Sequence, residues 1–496
     1  MTKQQALEFY TQQRKKLLAV HYAQFLSDWD MQTEAAQGSI EANSAQVSAF
    51  AERSYELISD ENFREAVNTL ARCSSELDEV LRHEVEVMQK DIEQTRKIPQ
   101  EQYAAFSELT AKAYPVYVQA KRENNFALFC PYLEQIVEYC RNLTVWLKTD
   151  ELSGYDVLLD MYEPHYTTKQ YDEFFNLLKK KLVPLIKRVT KRAQKTPAWA
   201  KKTYPKAAQR EFCEYLRDVM CFDKSRGIMK ESEHPFTTGF GTDDVRITNH
   251  YYEDAVESAI FSVIHETGHA LYEQQCDRSL NGTFSGGGAS LGMHESQSRF
   301  YENMIGRSLA FWQVHFPRLQ QQFPKQLKNV SVDSFCKYIN RAERSFIRTE
   351  ADELTYPLHV LLRYEIEKQL IDGSLAVKDL PKYWNKKFYE YFGITPPNDT
   401  MGVLQDVHWA GGSFGYFPTY ALGSAIAAQL YAAMNRDFDV AASLQGGTTL
   451  QINQWLASHV HKYGSSKYPD EILRLATCED FNPNYYVDYL RNKYSK

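Results

Sequence analysis

The sequence predicts a mainly α-helical protein with one small β-sheet. Apolar residues recur at three- and four-residue steps through residues 4–27, 45–95, 100–149 and 167–193, which is the spacing of an amphipathic helix. Proline is scarce, with 17 in 496 residues, as suits long helices. The pattern changes at residues 232–252, where apolar and polar side chains alternate as they do in strands.

Taken in chain order, these patterns describe one large unit. Residues 1–190 form a predicted N-terminal helical region, and a Lys/Pro-rich stretch at 191–209 is a candidate surface connection. Residues 232–252, with two glycines at their centre, predict a short antiparallel hairpin. No Gly/Ser-rich linker and no internal repeat divides the sequence. We therefore expect a single domain over residues 1–496.

Composition and charge restrict the class of protein. The chain has 43% hydrophobic residues, 24% charged residues and a formal charge of −7, so we expect neither nucleic acid nor an anionic membrane as a partner. No apolar stretch reaches the length that spans a bilayer. The N-terminus has no apolar secretory region, and the eight cysteines include no C-x-x-C pair. These features predict a cytoplasmic protein with reduced thiols.

A His-Glu-x-x-His word from His265 to His269 lies in the helical run 254–275. Positions i and i+4 of a helix share one face, so both imidazoles can bind one metal ion. Glu266 lies one position round the helix, where it can take a proton from water at that metal. The alternatives are a hydrogen-bonded pair of core histidines and an acid that only supports a ligand. The word predicts a zinc hydrolase with its catalytic core over residues 254–420.

The third metal ligand has to come from another part of the chain, because a catalytic zinc ion typically has three protein ligands and one open position. A Gly-rich stretch at 282–292 could fold a second helix, beginning near Met293, back over the first. Glu295 in that helix is the predicted ligand. Glu302, seven residues later and on nearly the same face, is the fallback or a partner of one imidazole. The alternative for Glu295 is a solvated acid in a first helical turn.

A hydrolase of this kind also needs a donor for the developing oxyanion. Residues 402–424 are rich in glycine and aromatic side chains, and they offer His408, Tyr416 and Tyr420. These residues could simply form an aromatic turn ahead of a helix. Three donors, together with the four glycines that follow Trp409, make the wall of a groove at least as good an interpretation.

Several short words, taken in order, resemble the Taq-type metallocarboxypeptidases. The words that carry the resemblance are His234-Pro235-Phe236, Asp244-x-Arg246-x-Thr248, His265-Glu266-x-x-His269, His294-Glu295-Ser296, Ile347-Arg348-x-x-Ala351-Asp352 and Gly402-x-x-Gln405-Asp406-x-His408-Trp409. Independent words in one order are far more specific than a single metal-binding word. Trp29-Asp30 looks similar to that family as well, so the resemblance extends over the whole chain.

The resemblance implies a strictly C-terminal exopeptidase of broad specificity, largely helical, with a deep groove closed at one end. It implies a homodimer that binds one zinc ion per subunit, or cobalt in some relatives. By the same analogy, His265, His269 and Glu295 are the ligands and Glu266 is the general base. The residues that it places along the substrate groove include His234, Arg246, Arg348, Gln405 and His408.

A carboxypeptidase must recognise the free α-carboxylate of its peptide, and a bidentate guanidinium is the usual solution. Together with the resemblance, this favours Arg348 as the anchor and assigns Arg246 to the groove. Other interpretations are a helix-surface pair between Arg348 and Asp352, and either an exposed strand position for Arg246 or its pairing with Asp244. His234 is a groove donor or a simple turn residue.

Two other functions remain open on the sequence alone. A metallo-oligopeptidase with the same centre would cut internal bonds and would need no cationic end-stop. A metal-stabilised scaffold could bind peptides without cutting them, but structural zinc sites normally have four protein ligands. Three ligands, with an acid where a base is needed, favour the enzyme. The expected partners are therefore peptides with a free C-terminus.

Overall fold

The computed structural model describes residues 1–191 and 195–495. The bounds of its helices and strands, in chain order, are α1 Lys3–Thr33, α2 Ile40–Ile58, α3 Glu61–Arg72, α4 Glu79–Lys97, α5 Gln100–Glu123, α6 Phe126–Trp146, α7 Tyr155–Asp160, α8 Thr168–Val189, α9 Lys206–Val219, β1 Met229–Glu231, β2 Thr237–Gly239, β3 Val245–Asn249, α10 Val256–Gln275, α11 Leu291–Arg299, α12 Leu309–Gln322, α13 Pro324–Leu327, α14 Val332–Ile339, α15 Tyr356–Asp372, α16 Leu380–Phe392, α17 Phe417–Asp437, α18 Val440–Ser443, α19 Leu450–His459, α20 Pro469–Thr477 and α21 Asn484–Tyr494.

The predicted fold class, mainly helical with one small sheet, is confirmed. The predicted hairpin is formed by β2 and β3, which pair antiparallel with Thr238 opposite Arg246. A third strand, β1, pairs in parallel with the other side of β3, so the strand order is β1-β3-β2. Three residues are too few for alternation to identify a strand, which is why the sequence did not predict β1. None of the helices in the described residues is long and apolar enough to cross a membrane.

The chain folds into two compact units, each built from separated stretches of sequence. Their bounds are Met1–Thr95, Thr196–Ile339 and Leu430–Asp480 for the first unit, and Arg96–Lys195, Asn340–Gln429 and Phe481–Lys496 for the second. Such interleaving is not visible in a sequence without linkers, and the expected single domain stays a prediction.

In the first unit, α10 occupies the interior. It packs against α9, α11 and the sheet, and most of its residues are buried, on all faces of the helix. Ser290 begins α11, because its hydroxyl accepts a hydrogen bond from the Met293 backbone at 3.1 Å. After Arg299 the backbone continues as a π-helical turn, Phe300–Ile305, instead of an α-helix. This turn changes the direction of the side chains that follow Glu295.

The predicted surface connection at 191–209 is only partly described, since residues 192–194 lie outside the described part of the chain. The last residues of that stretch belong to α9, which begins at Lys206. The eight cysteines are all free thiols, in agreement with the expectation of reduced thiols. Cys276, just past α10, is buried at 4% exposure and donates to the Tyr272 backbone, so it is a packing residue.

Candidate metal centre

Helix α10 presents His265 and His269 on one face, with ring centroids 4.9 Å apart. Each ring is fixed through its Nδ1 atom. His265 Nδ1 lies 3.0 Å from Glu302 Oε2, and His269 Nδ1 lies 2.7 Å from His294 Nδ1. Both Nε2 atoms are therefore left for another partner, which is how imidazole ligands are usually held.

Glu295 completes the group from α11. Its Oε2 lies 3.7 Å from Nε2 of both His265 and His269, and the three ligand atoms lie within 4.8 Å of one another. Atoms that bind one ion at about 2.1 Å must be separated by about 3–4 Å from each other. Two imidazoles and one carboxylate at this spacing therefore fit a divalent metal ion.

Gly268 explains why the two helices can approach so closely. A Cβ atom at this position would lie 2.9 Å from Ser298 Cα and 3.0 Å from Gln297 O, distances that real side chains do not tolerate. A close backbone approach thus accounts for the glycine inside this helix. The absence of a side chain at 268 lets α11 deliver Glu295 to the two histidines.

Glu302 takes the position of an imidazole partner. Its Oε2 contacts His265 and also accepts from Arg299 at 3.2 Å, while its Oε1 accepts from Arg307 at 2.9 Å. Burial would raise the pKa of Glu302, but Arg299 and the bond to His265 outweigh it and hold the pKa well below its usual range. The ionised carboxylate orients the His265 ring. The π-helical turn that contains Glu302 lies next to this contact.

A second chain of bonds supports His269 and was not predicted. His294 contacts His269 through Nδ1, and its own Nε2 lies 2.7 Å from Glu273 Oε1. Burial, followed by the neighbouring His294, keeps the pKa of His269 well below its usual value, so the ring is neutral and could bind a metal ion. The signal available in the sequence was Glu273, which follows His269 by four residues and therefore shares its face of the helix.

Glu266 is 7% exposed, and within the described residues one of its carboxylate oxygens, Oε2, is held by a side-chain hydrogen bond. Thr237 in β2 donates to Oε2 at 2.6 Å. Burial raises the pKa of Glu266 despite the opposing effects of His265 and the Thr237 bond. A carboxylate with one fixed oxygen and a raised proton affinity is suited to accepting a proton. Thr237 was not predicted, because a strand residue near a metal site cannot be recognised before the fold is known.

Arg246 is a predicted groove residue that lies in the first unit. Its Nε and Nη2 atoms donate to both oxygens of Asp244, at 2.8 and 2.7 Å, and its guanidinium lies over the rings of Phe25 and Trp29. The pairing with Asp244 that was considered as an alternative is present. His234, by contrast, is exposed, and its backbone carbonyl accepts from Ser232.

Arg348 lies in the second unit and is 5% exposed. Its Nε donates to Asp406 Oδ1 at 3.0 Å and its Nη1 donates to the Tyr356 hydroxyl at 3.0 Å. It lies in a short 3-10 turn instead of an α-helix, and Asp352 accepts instead from nearby backbone amides such as that of Thr355. Gln405 accepts from the Arg348 backbone at 2.8 Å and donates to three carbonyls, so its amide holds the loop together.

Three predicted donors gather in the same unit. His408 Nε2 lies 3.4 Å from the Tyr420 hydroxyl, and the Tyr416 ring is 5.4 Å from that of His408 and 5.3 Å from that of Tyr420. The guanidinium of Arg348 lies 4.9 Å from the centroid of the Tyr420 ring. Burial lowers the pKa of His408 to about 4, and the positive charge of Arg348 adds to this effect, so His408 is neutral at pH 7.

Comparisons with known proteins agree with this geometry. The family model of the carboxypeptidase Taq (M32) metallopeptidases matches residues 9–494. The chain is 42% identical to carboxypeptidase 1 of Bacillus subtilis over 96% of its own length and 95% of that protein. It is 34% identical to thermostable carboxypeptidase 1 of Pyrococcus furiosus, over 97% of its length and 96% of that protein.

A solved structure shows the same likeness. Metallocarboxypeptidase 1 of Trypanosoma cruzi superimposes with a TM-score of 0.95 at 33% identity, and the match covers 100% of both chains. A family match over nearly the whole sequence, together with relatives above 30% identity, is sufficient to assign the family. The chain is a metal-dependent peptide hydrolase that belongs to the carboxypeptidase Taq (M32) metallopeptidase family.

Proposed function

We propose that the protein is a zinc-dependent carboxypeptidase that releases single C-terminal amino acids with broad specificity. The observation that carries this proposal is the group His265, His269 and Glu295, whose ligand atoms meet within 4.8 Å beside Glu266. Two imidazoles and a carboxylate are a common catalytic zinc set, and cobalt is an acceptable substitute. One ion binds per subunit.

Glu266 acts as the general base in this proposal. A bound divalent metal supplies Lewis-acid activation of the water and of the scissile carbonyl. Thr237 holds Oε2 of Glu266, so that the other carboxylate oxygen takes the proton of the attacking water and passes it to the leaving amine. Burial keeps bulk water away from this transfer and favours the protonated intermediate state of Glu266.

Arg348 recognises the free C-terminus of the peptide. Its guanidinium is buried, yet it shares Asp406 instead of closing a two-bond pair with it, so it keeps donor capacity for a carboxylate. Arg246 already uses Nε and Nη2 on Asp244 and serves as part of the groove wall. We assign His234 and Gln405 to the groove as well, Gln405 through its bonds to the loop.

His408, Tyr416 and Tyr420 are the proposed donors for the developing oxyanion and for the peptide backbone. The Tyr hydroxyls and the neutral imidazole can all donate without adding charge. We also propose that the protein is one catalytic domain, that it works in the cytoplasm, and that it forms a homodimer. These assignments rest on the family resemblance.

Blocking the C-terminus tests the direction of cleavage. We expect a peptide with a free carboxylate to be shortened and the same peptide with a C-terminal amide to be resistant, because the amide cannot satisfy the cationic anchor. Efficient cleavage of the amide would favour an oligopeptidase with the same metal centre. Metal analysis of the same preparation should find about one zinc ion per chain.

A further inference from the structure

Arg363 is a fully buried arginine in α15 that belongs to none of the signature words. Its Nε donates to Asp406 Oδ2 at 2.7 Å, and its Nη2 donates to the same oxygen. Its Nη1 donates to the His359 backbone at 2.6 Å, and its guanidinium lies 4.7 Å from the centroid of the Trp384 ring. All three nitrogen atoms are therefore in use, and the side chain is 0% exposed.

The same carboxylate also serves Arg348. Asp406 accepts hydrogen bonds from Arg363 at Oδ2 and from Arg348 at Oδ1. Burial would raise the pKa of Asp406, but Arg363 and Arg348 outweigh it and hold the pKa well below the usual range. One ionised carboxylate thus faces two guanidiniums, and the group of three carries one uncompensated positive charge.

The polar groups around the three charges compensate the excess positive charge only in part. The Tyr356 hydroxyl accepts a hydrogen bond from Arg348 Nη1. His359 and His408 are both neutral, because burial holds their pKa values down, that of His408 to about 4. The carboxylate of Glu367, one turn further along α15, instead accepts from Trp409 at 2.7 Å and from the Gly415 amide at 2.8 Å. Burial raises its pKa to about 7, so it is only partly ionised at neutral pH.

The contrast with the first unit shows what the second arginine adds. Arg246 and Asp244 form a one-to-one pair whose net charge is zero. Around Asp406 the ratio is two to one, and the fully enclosed partner takes one carboxylate oxygen with two bonds. Buried charges are normally compensated, so an excess charge next to a partly engaged guanidinium is the signature of an anion site.

We propose that Arg363 is a positioning residue that prepares Arg348 to bind the carboxylate of the peptide. Arg363 does not touch the substrate. Arg363 binds Asp406 Oδ2 and fixes the orientation of this carboxylate. Arg348 is left with one hydrogen bond to Asp406, and its positive charge is only partly compensated. This inference rests on the proposed role of Arg348, and it predicts that specificity for a free C-terminus depends on an arginine outside the recognition site.

Steady-state kinetics of Arg363→Met test the proposal. Without the second cation, Asp406 neutralises Arg348, so KM for a free-acid dipeptide should rise about tenfold or more while kcat changes less than about threefold. The inhibition constant of the matching dipeptide amide, used as a competitor, should not change. A purely structural defect would instead lower kcat and affect acid and amide alike, and that result would overturn the proposal.

Two variants guard against a simple loss of folding. Arg363→Lys keeps the positive charge, so it should recover most of the affinity for the free acid. Arg217→Met removes another buried arginine, 3% exposed, that pairs with Glu214 and has no link to Asp406. This control variant should have lower thermal stability. The ratio between KM for the free-acid dipeptide and the inhibition constant of the dipeptide amide should not change. All kinetics are measured below the unfolding transition of each variant.

A double-mutant comparison separates failure of this inference from failure of the proposed function. In an Arg348→Met background, adding Arg363→Met should change KM less than about twofold, because Arg363 acts only through Arg348. If the two effects multiply, Arg363 acts independently and the positioning role is wrong. If Arg348→Met itself leaves KM unchanged, the anchor has been misassigned, and the positioning role fails with it.

Discussion

The two arginines that could bind a peptide carboxylate differ in how far their guanidinium groups are already engaged. Arg246 donates hydrogen bonds from its Nε and Nη2 atoms to the two carboxylate oxygens of Asp244. Arg348 uses single bonds to Asp406 and Tyr356, and a guanidinium has five donor hydrogens. At the scale of single residues, this difference is the reason why we propose Arg348 as the anchor and Arg246 as part of the groove wall.

Replacing each arginine in turn checks that distinction. Arg348→Met should lower kcat/KM for free-acid peptides by about 10- to 100-fold, since a hydrogen bond to a charged group contributes about 1.5–3 kcal/mol. Arg246→Met serves as the matched variant and should have a smaller effect. The kcat/KM values of the two variants are measured on the same series of free-acid peptides. A larger loss of kcat/KM in Arg246→Met than in Arg348→Met would reverse the assignment.

Glu266 gives the second prediction at this scale. Glu266→Gln preserves the shape of the side chain and the bond from Thr237 but removes the proton acceptor, so turnover should fall by about 10²- to 10⁴-fold. Metal content, measured on the same sample, should stay near that of the unchanged protein, because the carboxylate is not one of the three ligands. A variant that keeps full activity would show that another group is the base.

At the scale of elements, the site depends on the contact between α10 and α11. Gly268 permits this contact and Ser290 starts the second helix at the right residue. The π-helical turn then follows Glu295 and contains Glu302, which bonds to His265. The metal centre is thus built from two adjacent helices whose separation is fixed by one missing side chain.

Adding that side chain is therefore costly. Gly268→Ala should gain about 1 kcal/mol of helix propensity but lose more through overpacking against Ser298 and Gln297, which typically costs about 1–3 kcal/mol. We expect lower thermal stability and weaker metal retention during dialysis. Gly446→Ala, at a position where nothing lies within 4 Å, is the control and should change neither quantity.

At the scale of the whole molecule, the predictable and unpredictable parts have different physical origins. Helical periodicity and the His265–His269 spacing are local, so the fold class and two of the proposed metal ligands could be predicted from the sequence alone. Glu295 was inferred from a turn and a helix start, which are also local signals. Thr237 and Arg363 were missed because their roles arise from contacts between elements far apart in the chain, and no local pattern records such contacts.

Metal removal tests how far the centre stabilises the fold. Because the ligands come from two helices, an ion that binds only the folded state should raise the unfolding temperature. A chelator should therefore lower that temperature, and added zinc should restore it. Reductant should have no such effect, since the eight cysteines are free. If the unfolding temperature does not change when the chelator is added, the result would contradict a metal bound at these residues.

The most direct test of the central claim is mass spectrometry of one unblocked peptide and its amide during digestion by the zinc-loaded protein. The proposed carboxypeptidase should convert the free acid into a ladder of products, each shorter by one C-terminal residue, and should leave the amide intact. Glu266→Gln, in parallel, should produce no ladder while retaining its metal. Internal fragments, or equal digestion of the amide, would contradict the proposed function.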